Sequence, residues 1–236
     1  MSGKIPGVVL CLIAGAMHQL ARADELKPFE ASFAWSWHGM TVAVSTLKLE
    51  QHQDTWLYAS KSSPRGIGRL FSERPVQQST LQVTEAGVRP LHYKADDGTS
   101  STKRDADVVF DWEHMRATGV YEDTKVDMPL QPGVQDDLSV QVALIVELLA
   151  GRTPDRALLI DTNTVREYHY SRDREESIDT PLGKVATIVY RSQKAGSPRI
   201  TRFWCAPSRG YIPMRVEQTK GDDVQWTMQV LSLKRD

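Results

Sequence analysis

The stretch LQPGVQDDLSVQVALIVELLAG, residues 130–151, departs from everything around it. Pro132 and Gly133 end a preceding strand. Asp136 or Asp137 can cap a helix start, because a carboxylate accepts hydrogen bonds from free first-turn N–H groups and suits the positive dipole end. Gly151 supplies a left-handed stop. Between them Leu138, Val142, Ile145 and Leu149 form one stripe. Val140, Leu144, Val146 and Leu148 make the remaining surface nearly apolar, and Ser139, Gln141 and Glu147 are the polar residues. A helix apolar on most sides is buried on most sides. At roughly 14 residues, or about 21 Å, it is too short to cross a bilayer. The stretch predicts one buried central α-helix near 137–150.

The flanks have a different period. In FEASFAWSW (29–37), Phe29, Ala31, Phe33, Trp35 and Trp37 share one parity, while polar residues dominate the other. That is the alternation of a half-buried strand. Similar runs follow as TVAVSTLKLEQ, TWLYASK, VQQSTLQVT, VRPLHYKA, ADVVFDW and HMRATGVY. Beyond the helix come ALLIDT, REYHYSR, VATIVYR, ITRFWC, YIPMRVEQ and VQWTMQVLSL. Short turn signals separate them, which implies consecutive antiparallel hairpins. The fold class is mainly β: a strongly curved antiparallel sheet, an open half-barrel or meander, holding the helix in its concave face.

The first residues read as an address. Lys4 precedes an apolar run from about Ile5 to Met17, and Ala21-Arg22-Ala23 follows. This is the pattern of a secretory signal peptide cut after Ala23. Cys11 does not make a lipoprotein site, since Leu10 stands where a small residue is required. Residues 24–236 then form a single domain with formal charge near −3, against −1 for the whole chain. Mild acidity argues against nucleic acid as a partner. Cleavage leaves Cys205 as the sole thiol, so no internal disulfide forms and burial must supply stability.

Three groups of residues resemble the DUF3108 family of bacterial envelope proteins. They are Pro132 to Ser139 before the helix, Thr180-Pro181-Leu182-Gly183-Lys184 before a strand, and Trp204-Cys205-Ala206-Pro207 with Tyr211-Ile212-Pro213-Met214-Arg215. With the leader and the strand spacing, the resemblance spans nearly all of the mature chain. It implies a secreted, mostly β periplasmic domain and supplies no catalytic residues. The architecture is also similar to the lipoprotein-carrier half-barrel, an analogy of fold that does not fix function.

No motif carries chemistry. His38, His52, His92, His114 and His169 lack ligand spacing, and HExxH, CxxC, G-x-S-x-G and P-loop patterns are absent. No catalytic residue, metal or cofactor is expected. Asp96-Asp97, Glu175-Glu176 and Asp222-Asp223 read as turn carboxylates. Asp136, Ser139, Gly151, Gly183 and Pro213 read as structural.

Two features point to a ligand. SSPRGIGRLFSERP (62–75) mixes Ile67, Leu70 and Phe71 with Arg65, Arg69 and Arg74, as a lid or a lipid-contacting loop would. Aromatic residues, Trp35, Trp37 and Trp204 among them, lie where a curved sheet can line a cavity or pack beneath the helix. Candidate ligand contacts are therefore Trp35, Trp37, Ile67, Arg69, Leu70, Phe71 and Trp204. TRFWCAPSRGYIPMRVEQ (201–218) reads as a hairpin pairing Trp204 with Ile212 and placing Cys205 across from Tyr211. Pro213 predicts an edge or a bulge there, and Cys205 reads as packing. The sequence supports a non-catalytic periplasmic carrier for a lipidic or amphiphilic envelope ligand. An envelope-assembly module using an edge strand or RDREESID (172–179) is the alternative.

Overall fold

A computed structural model describes residues 25–70 and 74–235. The leader reading of residues 1–23 and the candidate Phe71 lie outside the described residues. The first half of the chain contributes β1 (Phe29–Trp37), β2 (Met40–His52), β3 (Thr55–Pro64), β4 (Val76–Thr84), β5 (Gly87–Asp96), β6 (Ala106–Asp111), β7 (Arg116–Tyr121), β8 (Thr124–Pro129) and the two-residue β9 (Val134–Gln135). After α1 (Ser139–Leu149) come β10 (Arg156–Asp161), β11 (Thr164–Thr180), β12 (Gly183–Lys194), β13 (Arg199–Ala206), β14 (Ile212–Lys220) and β15 (Asp223–Arg235).

All fifteen strands belong to one sheet. Two meanders meet where β1 pairs with β15, so the first and last strands are neighbours in the middle of the sheet. Among the described residues only β9 with β10 pairs in parallel. β8 and β9 are the sheet's two edges, yet residues 130–133 join them directly. The sheet must therefore curl until its edges approach. Gln135 Nε2 donates to Val88 O on β5 at 2.8 Å, and Asp127 N on β8 donates to Asn163 Oδ1 beyond β10 at 3.2 Å. No ladder joins β8 to β9, so the half-barrel stays open.

The local reasons are those of alternation. Phe29, Ala31 and Phe33 are buried while Glu30 and Ser32 are half-exposed. His38 and Gly39, both at positive φ, close the β1–β2 hairpin in the twist that adjoining strands require. Hairpin turns alternate between the two ends of the sheet. Turns 38–39, 195–198 and 221–222 therefore share one end with the 65–75 loop.

Several expectations need correction. Trp204 pairs with Arg215 rather than Ile212, and Cys205 lies opposite Pro213 rather than Tyr211. The connection through the 3-10 turn Pro207–Arg209 moves the register by two residues, and a bulge between Trp204 and Cys205 adds one more. The bulge falls where Pro213 lacks a ladder N–H, inside the sheet and not at an edge. Ile212 consequently pairs with Ala206, and Trp204 shares a face with Arg202 and Arg215 instead of Ile212. Glu175 and Glu176 do not sit in a turn; they pair with Ile188 and Thr187 within β11. That strand is 17 residues long and carries RDREESID on its half unpaired by β10. The sequence reading did not include β8 and β9; β9, at two residues, is too short to show a period.

Candidate functional site

The start of α1 is fastened by side chains from both directions. Asp136 is fully buried, and its Oδ1 accepts from Leu138 N at 2.8 Å and Ser139 N at 2.7 Å. Ser79 on β4 donates to its Oδ2 at 2.7 Å, while Ser139 Oγ accepts from Asp136 N at 2.9 Å. The carboxylate thus satisfies the orphan N–H groups of the first turn. Burial pushes its pKa up to about 6, against the opposing pull of those hydrogen bonds. Asp137 receives the Tyr121 hydroxyl at 2.7 Å and the Tyr93 hydroxyl at 3.4 Å. Tyr58 donates to Gln141 Oε1 at 3.1 Å. Burial raises the pKa of all three phenols, so they act as donors. At the other end Gly151, with φ 72°, turns the chain out of the helix.

Along its flank α1 stands away from the sheet. A cavity of about 370 Å³ lies between them, lined on the helix by Leu138, Gln141, Leu144 and Ile145. Phe33, Trp35, Phe203, Val216, Trp226 and Met228 face it from the central strands. These walls are mainly apolar and aromatic, with Asp137, Gln141 and Gln77 among the polar lining, and the volume lies within the 300–1,000 Å³ or so typical of small-molecule sites.

Trp35 belongs to a second wall as well. A cleft of about 540 Å³ opens at the sheet end, lined by Trp35, Trp37, Val42, Pro64, Ile67 and Pro75. The 3-10 turn Gly66–Leu70 forms one side of it. Arg65 N donates to Val42 O at 2.7 Å, and a Cβ on Gly68 would fall 2.1 Å from that same oxygen. Only glycine allows the turn to lie this close to β2. Trp37 and Ile67 remain 43% and 39% exposed, which leaves an apolar lip. Trp35 Nε1 is buried without a hydrogen-bond partner among the described residues. Its ring packs on Trp226 with centroids 5.2 Å apart.

The structure therefore brings Trp35, Trp37 and Ile67 together. Arg69 is exposed on the same turn and does not line the cleft, and Leu70 ends that turn. Trp204 is elsewhere. It is 3% exposed, packed beneath Arg215 and Arg174 at 4.9 and 5.7 Å, and donates Nε1 to Glu176 Oε2 at 3.0 Å. Cys205 is buried among Leu144, Leu148 and Tyr190, and burial pushes its thiol pKa up, away from the reactive thiolate. Gly183, at φ 94°, completes a turn in which Thr180 Oγ1 donates to Gly183 O at 2.8 Å.

Sequence reasoning missed Ser79, Tyr58, Tyr93 and Tyr121. The tyrosines hold the helix across 83, 44 and 16 residues, and no local pattern encodes such pairings. Among the described residues, Asp96, Asp97 and Asp105 form the one group of carboxylates close enough to share a cation. Their hydrogen bonds, from Gly98 N to Asp96 and from Asp97 N to Asp105, stitch their own loop.

Residues 29–225 match DUF3108, a protein family of unknown function, and the chain belongs to that family. The fold resembles the crystal structure of a β-barrel-like DUF1849 protein from Brucella abortus. That match has a TM-score of 0.55 at 14% identity and covers 89% of this chain and 98% of the other. A candidate lipoprotein from Parabacteroides distasonis is more distant, with TM-score 0.37 and 11% identity over 89% and 96% of the chains. So is a candidate exported protein with a YmcC-like fold from Bacteroides fragilis, with TM-score 0.32 and 10% identity over the same shares. No curated protein matches the sequence. Among the described residues no helix is long and apolar enough to cross a membrane.

Proposed function

We propose that this member of the DUF3108 family is a non-catalytic periplasmic binding or carrier domain for a lipidic, amphiphilic ligand of the cell envelope. The observation that carries this reading is the cavity of about 370 Å³ between α1 and the sheet. A folded interior normally closes such space, because empty volume forfeits dispersion contacts. Here the walls are mainly aromatic and apolar, as an acyl chain requires. Trp35 joins the cavity to the apolar lip at the sheet end, which supplies an entrance. Its unpartnered Nε1–H suits an ester or carboxyl oxygen of the incoming ligand. The leader pattern of residues 1–23 supports a periplasmic location.

The charged edge of β11 favours this reading over partner recruitment. Arg174 pairs with Glu176 at 2.8 Å, and Arg202 reaches Asp173 at 3.2 Å. Charges on an unpaired strand discourage edge-to-edge association.

The test is native mass spectrometry of protein purified without detergent, together with titration of a fluorescent acyl probe. Val216 lines the cavity and is 4% exposed. Val216→Trp should fill the space and lower probe affinity by about tenfold or more, with overpacking costing about 1–3 kcal/mol of stability. A wild-type chain that binds no probe, or a filled variant that binds it unchanged, would end the carrier reading.

A further inference from the structure

The inner face of β11–β14 changes chemistry along the strands. One row across the sheet pairs Tyr190, Phe203, Val216 and Met228 and is largely apolar. Two residues nearer the sheet end, on the same face, Ser192, Thr201 and Gln218 pair in sequence. Two residues beyond Ser192 stands Lys194, opposite Tyr168, and two before Thr201 stands Arg199, where β13 begins. The wall thus runs from apolar, through neutral and polar, to cationic.

The same gradient appears in the enclosed space. Tyr168, Ser192, Thr201 and Gln218 line both the cavity beneath α1 and an adjoining polar pocket of about 300 Å³. The outer part of that pocket carries Arg166, Lys194 and Arg199, and among the described residues no carboxylate lines it. Arg166 is already held by Asp161. Lys194 and Arg199 form no ion pair among the described residues. Among the described residues, the cleft beside Trp37 on the other side of the rim has no charged lining.

We infer that the ligand bears an anionic head group, carboxylate or phosphate, held by Lys194 and Arg199 while its chain lies beneath α1. This rests on the proposed carrier role and adds the class of head group. Arginine offers a fork of N–H donors that matches both anions, and lysine adds a mobile point charge. The hydroxyls and amide of Ser192, Thr201 and Gln218 meet the polar atoms between head and chain. An apolar cavity alone would accept neutral and anionic amphiphiles equally, so the cations decide which is preferred.

The experiment is competition against a fluorescent monoacylglycerol by three ligands of matched chain: oleate, oleoyl lysophosphatidate and neutral monoolein. Oleate and lysophosphatidate should compete about tenfold better than monoolein at low salt, and the advantage should shrink at high salt because the cations are partly solvated. The double variant Lys194→Gln, Arg199→Gln should bind monoolein as the wild type does and lose the anion preference. Equal competition by all three ligands in the wild type, or a preference that survives in the double variant, overturns the inference and leaves the carrier reading intact. A wild type that binds none of the three sinks both. Millimolar inorganic phosphate should leave oleate bound. If it competes as strongly as lysophosphatidate, the cations serve a free anion and the inference fails.

Discussion

The N-terminal end of α1 and the cavity along its flank occupy the same concave face and are built from opposite kinds of contact. At the start of the helix the N–H groups of Asp136, Leu138 and Ser139 each find an oxygen, and Ser79, Tyr93 and Tyr121 tie two consecutive carboxylates to the first half of the sheet. Along the flank, Leu144 and Ile145 face open volume, and Trp35 Nε1 has no partner among the described residues. The difference teaches how a half-barrel can hold a void without collapsing into it. One end of the helix is pinned by directional hydrogen bonds across the first meander. The central strands β1, β14 and β15 are then free to stand off. A helix held only by apolar packing would slide until the space closed.

Breaking the pin should have the largest effect. Asp136→Ala leaves the Ser79 hydroxyl and two buried backbone N–H groups without acceptors, and should cost about 4 kcal/mol in urea denaturation. A loss below about 1 kcal/mol would mean that packing alone places α1.

The same residue gives a pH signature. Its folded pKa of about 6 exceeds the ordinary value of 3.8, so the folded state binds the extra proton between those values. Stability from this group is therefore highest below that window, falls as pH rises through about 6, and is flat above. The span is up to about 3 kcal/mol. Asp136→Asn should remove the dependence; a variant whose stability still falls over the same range would assign it to another group.

Cys205 probes the closed part of the helix flank. Cys205→Ser buries a hydroxyl among Leu144, Leu148 and Tyr190 and should cost about 1–2 kcal/mol while acyl-probe affinity stays unchanged. Lost affinity in a folded variant would extend the cavity to that wall. The smallest effect belongs to the lip. Trp37 is 43% exposed, so Trp37→Ala should shift stability by about 0.5 kcal/mol or less. It should instead slow probe entry in stopped-flow traces, and unaltered entry would move the entrance elsewhere.

Much of the fold was legible because its signals are local. The parity of FEASFAWSW and the nearly continuous apolar run after Ser139 each fit inside a single element. β11 was half hidden because RDREESID is polar on both faces, as an edge unpaired by β10 allows. The Trp204 pairing differs from expectation because the Pro207–Arg209 turn moves the register by two residues and a bulge beside Pro213 adds one more, and that one extra residue reverses every face beyond it. Of the ligand-contact candidates, Trp35, Trp37 and Ile67 converge on one cleft, whereas Trp204 belongs to the outer face. Lys194 and Arg199 gave no signal, since lone cations beside a turn are ordinary surface residues in sequence.

By itself the sequence determined most of the strands, the single buried helix, its capping carboxylate and its glycine stop, because dihedral preference and side-chain period act over a few residues. Tertiary structure alone decided which aromatic side chains face inward together, that the helix stands off from the central strands, and that two cations share a pocket with the cavity's polar rim. Those outcomes depend on twist and bulges accumulated across fifteen strands, and no local stretch of the chain contains that sum.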